Sequence, residues 1–306
     1  PIDRFLWAAL RFAASFNGGP NFEPAKCLTD YYTDEAVRVI EANKDRPFFL
    51  YLAHWAPHTP LQASREDYDA LSHIELHRER VYAAMIRSLD RGVGRVMDAL
   101  KANGLDENTL VMFTSDNGGA GYIGLPDVNA PYRGWKITLF EGGIRVPFLA
   151  RWPKQIPAGV TYDAPVHHFD MYATAAAAGR AQLPSDRIMD GVDLTPHITG
   201  IDTSTPHDYL FFSSGAARAV RDARWKLMVS APQGGQRKEW LFDLNADGER
   251  KDLLADNPEI AARLRSALAK HNSEQEESRW PWEATTAINV DRDLAQPDQP
   301  EDEFAY

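Results

Sequence analysis

Asp116 and Asn117 stand side by side after an apolar, β-prone run, Thr109-Leu110-Val111-Met112-Phe113, and ahead of two glycines. A carboxylate and an amide carbonyl are hard oxygen ligands, the kind calcium gathers in shells of roughly six to eight. A run like 109–113 reads as a buried parallel strand, and open α/β sheets bind ligands in the crevice beyond the carboxyl ends of such strands. The pair therefore falls where a metal site would be built, although Asp-Asn-Gly-Gly also suits a tight turn. Lys136 lies in a loop after Pro131 and Arg133. There an ammonium would neutralise an anionic ligand or a leaving oxygen, or else stand solvated like most lysines. His58 carries a ring suited to handing a proton to a departing oxygen near neutral pH. His54, four residues earlier, reads equally as a buried, hydrogen-bonded histidine at a strand end.

The elements that must position these groups follow from periodicity. Thr33, followed by Asp34 and Glu35, resembles a helix start, with the helix running to about Lys44. Pro47 to Ala53 reads as a buried strand that stops at the polar cluster His54 to Pro60. Val81, Met85, Leu89, Val93, Val96 and Leu100 recur at spacings of three and four, which predicts a long helix from about His77 to Asn103 with Gly104 ending it. A strand over Thr109–Ser115, a glycine-rich loop and a strand over Ile144–Ala150 follow, the order of an α/β layered fold. Near Pro206 the pattern changes to short runs at 209–213, 216–221, 225–230 and 240–244, which predict a small antiparallel sheet. Ile260, Leu264 and Leu268 place one helix across it. The final residues, rich in Asp, Glu and Pro, read as an extended tail.

Composition narrows the function classes. The 306 residues are 44% hydrophobic and 25% charged, the makeup of a folded protein with a core. Thirty-three basic against 44 acidic residues give a net charge of −11, which argues against a nucleic-acid partner or an anionic membrane surface. No apolar stretch approaches the roughly 20 residues of a membrane span. Cys27 is the single cysteine, so neither a disulfide framework nor a cysteine zinc site is expected. No signal peptide is visible at the first residues.

Three motifs occur in order: Phe48-Phe49-Leu50-Tyr51-Leu52-Ala53-His54 with Pro57-His58-Thr59-Pro60; Thr114-Ser115-Asp116-Asn117-Gly118-Gly119; and Arg133-Gly134-Trp135-Lys136 with Glu141-Gly142-Gly143-Ile144-Arg145-Val146-Pro147. Together they resemble the formylglycine-dependent (type I) sulfatase family of the alkaline phosphatase superfamily, over about Tyr31 to Ala269. The resemblance implies an α/β fold: a layered mixed sheet with helices on both faces, plus a small C-terminal antiparallel sheet with one helix. It assigns 1–205 to the remaining part of the catalytic α/β domain, 206–285 to a C-terminal α+β subdomain and 286–306 to an acidic, proline-containing tail. It implies hydrolysis of aryl or carbohydrate sulfate esters, one calcium ion (magnesium in its place as the alternative) and a formylglycine nucleophile. Asp116 and Asn117 match metal ligands, Lys136 the sulfate-binding lysine, and His58 a histidine at the substrate sulfate. His167 and His168 fall in a structural segment feeding a helix, Glu141-Gly142-Gly143 in scaffold, and Arg133 and Arg145 in loop-holding roles. The family also implies a periplasmic or secreted location.

The chain departs from the pattern at one end. Cys27 is followed by Leu28-Thr29-Asp30, not by the family's Cys/Ser-x-Pro-Ser-Arg, and that motif occurs nowhere in the sequence. The family's early Asp-Asp pair is missing too, so the chain resembles the C-terminal two-thirds of a sulfatase, and these residues alone are expected to be inactive. A nucleophile-bearing N-terminal segment, or self-association, is the expected partner. Phosphate or phosphonate ester hydrolysis is the alternative chemistry within the superfamily, and a noncatalytic remnant the alternative outside it.

Overall fold

The computed structural model describes residues 13–125, 127–231, 236–246, 248–276, 279–280 and 287–305. The chain divides into two compact units, 1–109 with 152–154, and 110–151 with 155–306.

The first unit is helical. Helix α1 (Leu28–Ala42), short α2 (Arg65–Asp69) and α3 (His77–Ala102) form it. Helix α1 begins five residues before the expected Thr33, and the reason is local. The Thr33 hydroxyl bonds back to the Thr29 carbonyl at 2.8 Å, so it sits inside the helix, fully buried, instead of capping it. Close approach of α1 and α3 depends on Gly92, because a Cβ there would lie 2.6 Å from Thr33 Oγ1. Buried Asp67 gathers Arg87, Arg91 and Ser64, and Arg91 reaches on to Asp30 at 3.1 Å. Burial alone would raise the Asp67 carboxyl, but its bonds to Arg91 and Ser64 hold it below the usual range. Helix α3 ends as expected: Gly104, at φ +69°, takes the left-handed turn that lets Leu105 N–H reach the Leu100 carbonyl at 2.9 Å.

The predicted buried strand at 47–53 is corrected. Those residues form neither helix nor strand; burial alternates along 48–54, but they join no ladder among the described residues, and Phe49 and Tyr51 are each 78% exposed. A continuous apolar run has strand propensity, yet a strand is completed only by a hydrogen-bonded neighbour.

In the second unit the predicted parallel strand is also corrected. Strand β1 (Val111–Thr114) pairs antiparallel with β2 (Phe148–Arg151), in a register from Val111↔Arg151 to Thr114↔Phe148. Between them, one turn of helix, α4 (Glu141–Ile144), occupies the start of the expected second strand. The implied single mixed sheet is replaced, among the described residues, by three antiparallel ladders of two, four and two strands. Helices α5 (His168–Ala178) and α6 (Thr195–Ile198) follow.

The expected small sheet is present as β3 (Leu210–Ser214), β4 (Ala217–Arg221), β5 (Trp225–Ser230) and β6 (Lys238–Asp243), in sequential antiparallel order. Side-chain alternation gives it two buried faces. Val220, Leu227, Val229 and Leu241 pack against Ala261, Leu264 and Leu268 of helix α7 (Pro258–Ser273), where the sequence places them. Ala219, Met228, Trp240 and Phe242 pack on the other face against Leu139 and Phe140, from the loop that follows Lys136. The stretch expected as an extended tail returns to that second face: β7 (Ile288–Asn289) pairs with β8 (Phe304–Ala305), and Val290 and Ala305 are buried in the same cluster. Its acidic residues find cations, Asp291 meeting Arg133 and Asp302 meeting Arg292, so charge that reads as solvated in the sequence is paired in the fold.

Candidate active site

The loop after β1 is built from backbone contacts that only small residues permit. Gly118 N–H donates to the Gly143 carbonyl at 3.0 Å, and a Cβ on Gly118 would lie 1.7 Å from the Gly142 oxygen. Gly142 and Gly143 are also cradled, a Cβ on them lying 2.3 Å from the Gly134 oxygen and 2.2 Å from the Thr138 oxygen, respectively. Residues 116–119 show no positive φ, so these glycines serve close approach and not a left-handed turn. Asp116 projects exposed at the head of the loop, and Asn117, half-buried, donates its amide N–H to the Asp116 carboxylate. Ser115 Oγ bonds the Asn117 carbonyl at 2.9 Å.

Lys136 belongs to the same assembly. Its N–H donates to the Gly119 carbonyl at 3.0 Å, and its ammonium stands 6.0 Å from the Tyr122 ring. Asn129 clamps both strands of the loop: its oxygen accepts from Gly119 N–H at 2.6 Å, and its amide donates to the carbonyls of Gly119 at 2.9 Å and Gly134 at 3.0 Å. Arg133 holds Asp291 with two bonds, at 2.6 and 2.8 Å, and the Glu249 carbonyl at 2.9 Å, a holding role of the kind its sequence context suggests. Trp135 is buried, its indole N–H on the Asn289 carbonyl at 3.2 Å, so its position supports the loop from beneath.

Three of the four sequence-selected residues, Asp116, Asn117 and Lys136, are thus brought together through Gly119. His58 lies in the other unit, exposed, with Nδ1 2.8 Å from the Thr59 carbonyl and its own N–H on Trp55 O at 2.8 Å. His54 has both ring nitrogens buried without a hydrogen bond, and burial pushes its pKa below the ordinary value, favouring the neutral ring.

Two residues gain a place that the sequence reading did not give them. His168 Nε2 stands 2.9 Å from the Ser115 carbonyl and 3.3 Å from Thr114 Oγ1, which pins the backbone immediately before Asp116. Asn129 is the other. A His-His-Phe-Asp run opening a helix is the only signal for the first, and nothing in the sequence marks the second.

His167 caps α5: its ring accepts from Phe169 N–H at 3.4 Å, while Asp170 accepts from His167 N–H at 2.7 Å. Burial, with the charge of His168 adding, lowers the His167 pKa from 6.5 to about 4. A depressed folded pKa means the unfolded chain binds the extra proton first, so this contribution is whole above pH 6.5 and declines as pH falls toward 4. Because the ring is partly exposed, the expected loss is about 1 kcal/mol. Urea unfolding at pH 7 and pH 5 should show a steeper decline for the native chain than for His167→Asn, which caps without titrating; equal slopes would refute the assignment.

The donor set bears on the cofactors implied by the sequence. Asp116 and Asn117 offer hard oxygens that suit calcium in kind, but no group of three or more His, Cys, Asp or Glu gathers among the described residues to hold a metal. Two side chains leave most of a calcium shell to other donors. Cys27 stands exposed at the N-cap position of α1, where partial burial and the neighbouring Asp30 charge push its thiol pKa up.

Comparison with known proteins gives a consistent kinship. The chain is 34% identical over 322 residues to the steryl-sulfatase of Mus musculus, covering 86% of this chain and 50% of that protein. It is 38% identical over 178 residues to the N-acetylgalactosamine-6-sulfatase of Canis lupus familiaris, covering 56% and 33%. The crystal structure of Ps i-CgsB in complex with k-i-k-neocarrahexaose superposes with a TM-score of 0.77 at 34% identity, over 87% of this chain and 59% of that one. The chain therefore spans about half or less of the curated relatives described, and its fold is the alkaline-phosphatase-like fold of sulfatases. The sulfatase family model matches residues 7–180, more than half of the sequence and including the loops that carry Asp116, Asn117 and Lys136, and this chain belongs to the sulfatase family.

Proposed function

We propose that these residues form the sulfate- and metal-binding part of an enzyme that hydrolyses sulfate esters, acting with a nucleophile-bearing segment supplied in addition to them. The observation that carries the reading is the joining of Asp116, Asn117 and Lys136 in one loop assembly through Gly119. Lys136 presents a positive charge to a sulfate oxygen or to the leaving oxygen, on which negative charge grows as the ester bond breaks. His58 has the chemistry to protonate the leaving oxygen. A calcium ion held by Asp116 and Asn117 would supply Lewis-acid stabilisation of the same charge. The nucleophile and the remaining metal carboxylates belong to the additional segment, since the sequence contains neither the nucleophile motif nor the Asp-Asp pair.

A carbohydrate sulfate is the substrate class we favour. One relative is an N-acetylgalactosamine-6-sulfatase, and another was crystallised with k-i-k-neocarrahexaose. A periplasmic or secreted location accords with such a substrate. The test is a paired assay of the chain combined with a nucleophile-bearing sulfatase N-terminal segment, using an aryl sulfate and an aryl phosphonate. Sulfate preferred by about 100-fold or more is expected, a difference of about 3 kcal/mol in transition-state binding. A large preference for the phosphonate would overturn the reading, and so would hydrolysis of neither.

A further inference from the structure

The second unit buries charges that the chemistry above does not use. Lys226, on β5, is fully buried, with its ammonium 2.6 Å from Glu249 Oε1 and 3.1 Å from Glu141 Oε1. Glu249 is fully buried too, and Glu141 is 3% exposed. Arg221 approaches the second Glu141 oxygen at 3.2 Å and Arg145 stands 3.8 Å from it. Burial works against both carboxylates. At Glu141 the charges of Lys226 and Arg221 win and hold its pKa low, whereas at Glu249 burial and the Glu141 charge push the pKa up.

A buried cluster of this kind is a poor source of stability, because apolar side chains of similar volume often serve as well or better. What it supplies is direction. Glu249 holds a left-handed backbone at φ +70°, and its Oε2 accepts the Glu141 N–H at 2.6 Å. Its carbonyl accepts from Arg133, whose own carbonyl receives Gly142 N–H at 2.7 Å. Gly143 then receives Gly118 N–H, one residue beyond Asn117. A path of polar contacts, joined through the Gly142–Gly143 backbone, links Lys226 to the loop that carries Asp116 and Asn117.

We propose that Lys226, acting through Glu249 and Glu141, is a positioning residue that fixes the glycine-bridged loop bearing Asp116, Asn117 and Lys136. The proposal rests on the functional reading only in naming that loop as the site. A role in positioning predicts a local effect, and a role in general stability predicts a global one. Hydrogen–deuterium exchange of the full chain, without metal or substrate, separates the two.

In Lys226→Met, exchange of peptides spanning 115–145 is expected to rise about tenfold or more, while α7 and the helices of the first unit keep native protection. Glu249→Gln keeps the size and an oxygen for the Glu141 N–H but removes the charge that Lys226 balances. The same local rise is expected there, and it decides the matter if Lys226→Met does not fold. Unchanged exchange over 115–145 in a folded variant overturns the proposal. So does a rise spread evenly over the whole chain. Because neither measurement involves hydrolysis, a failure here is distinct from a failure of the sulfatase assay.

Discussion

Gly118→Ala is expected to destabilise the second unit by about 3 kcal/mol or more, the range of severe overpacking against rigid backbone. The added methyl would lie 1.7 Å from the Gly142 oxygen and 2.8 Å from its carbonyl carbon, and neither is the end of a flexible side chain. Gly142 cannot retreat freely, because its own α-carbon faces the carbonyls of Gly134 and Arg133. Relief must come from separating the two loops, which breaks the bond from Gly118 N–H to Gly143 O and displaces Asn117. Gly94→Ala provides the control. It lies in helix α3 with open space around its α-carbon, so alanine there should be neutral or stabilising by up to about 1 kcal/mol. Thermal or urea unfolding of both variants checks the pair, and equal stabilities would refute the claim that the glycine contact holds the loop.

If the proposed sulfatase is completed by a nucleophile-bearing segment, Lys136→Ala is expected to lower kcat/KM for an aryl sulfate by about 100- to 1,000-fold, the effect of losing one preorganised donor to a developing oxyanion. Stability should change little, since the side chain is half-buried beside Tyr122 and the anchoring bond to Gly119 comes from the Lys136 backbone. Alanine keeps that N–H. A steady-state comparison with an unfolding control on the same samples separates the readings. Near-native turnover would mean that Lys136 is an ordinary surface lysine.

Much of the molecule is legible along the chain because its signals are local. The apolar period of α3 and its terminal Gly104, the four short strands after 209 and the stripe Ile260, Leu264, Leu268 each lie within one element, and each element forms where its pattern places it. The helix at 28–42 starts earlier than its acidic residues suggest, because Thr33 finds a carbonyl one turn back. The run at 47–53 and the strand at 111–114 fail differently. Both have strand propensity, but pairing partner and direction are not encoded in propensity. The C-terminal stretch reads as an extended tail for a related reason: acidic residues look solvated until Arg133 and Arg292 are brought to them.

By itself, then, the sequence determined the residue types at the strand-end loops, Asp116 and Asn117 after one apolar run, His58 after another and Lys136 beyond a glycine-rich loop, and with them the family. These are contiguous motifs, and contiguity preserves their chemistry whatever the fold does elsewhere. Tertiary structure alone decided which of them share one assembly and what holds it. Lys226 meets Glu141 across 85 positions, Glu249 meets it across 108, and His168 reaches Ser115 across 53. Contacts at such separations depend on loop closure and on burial that no local pattern records. The charges that look like surface residues in the sequence become, once desolvated together, the interior frame beneath the proposed site.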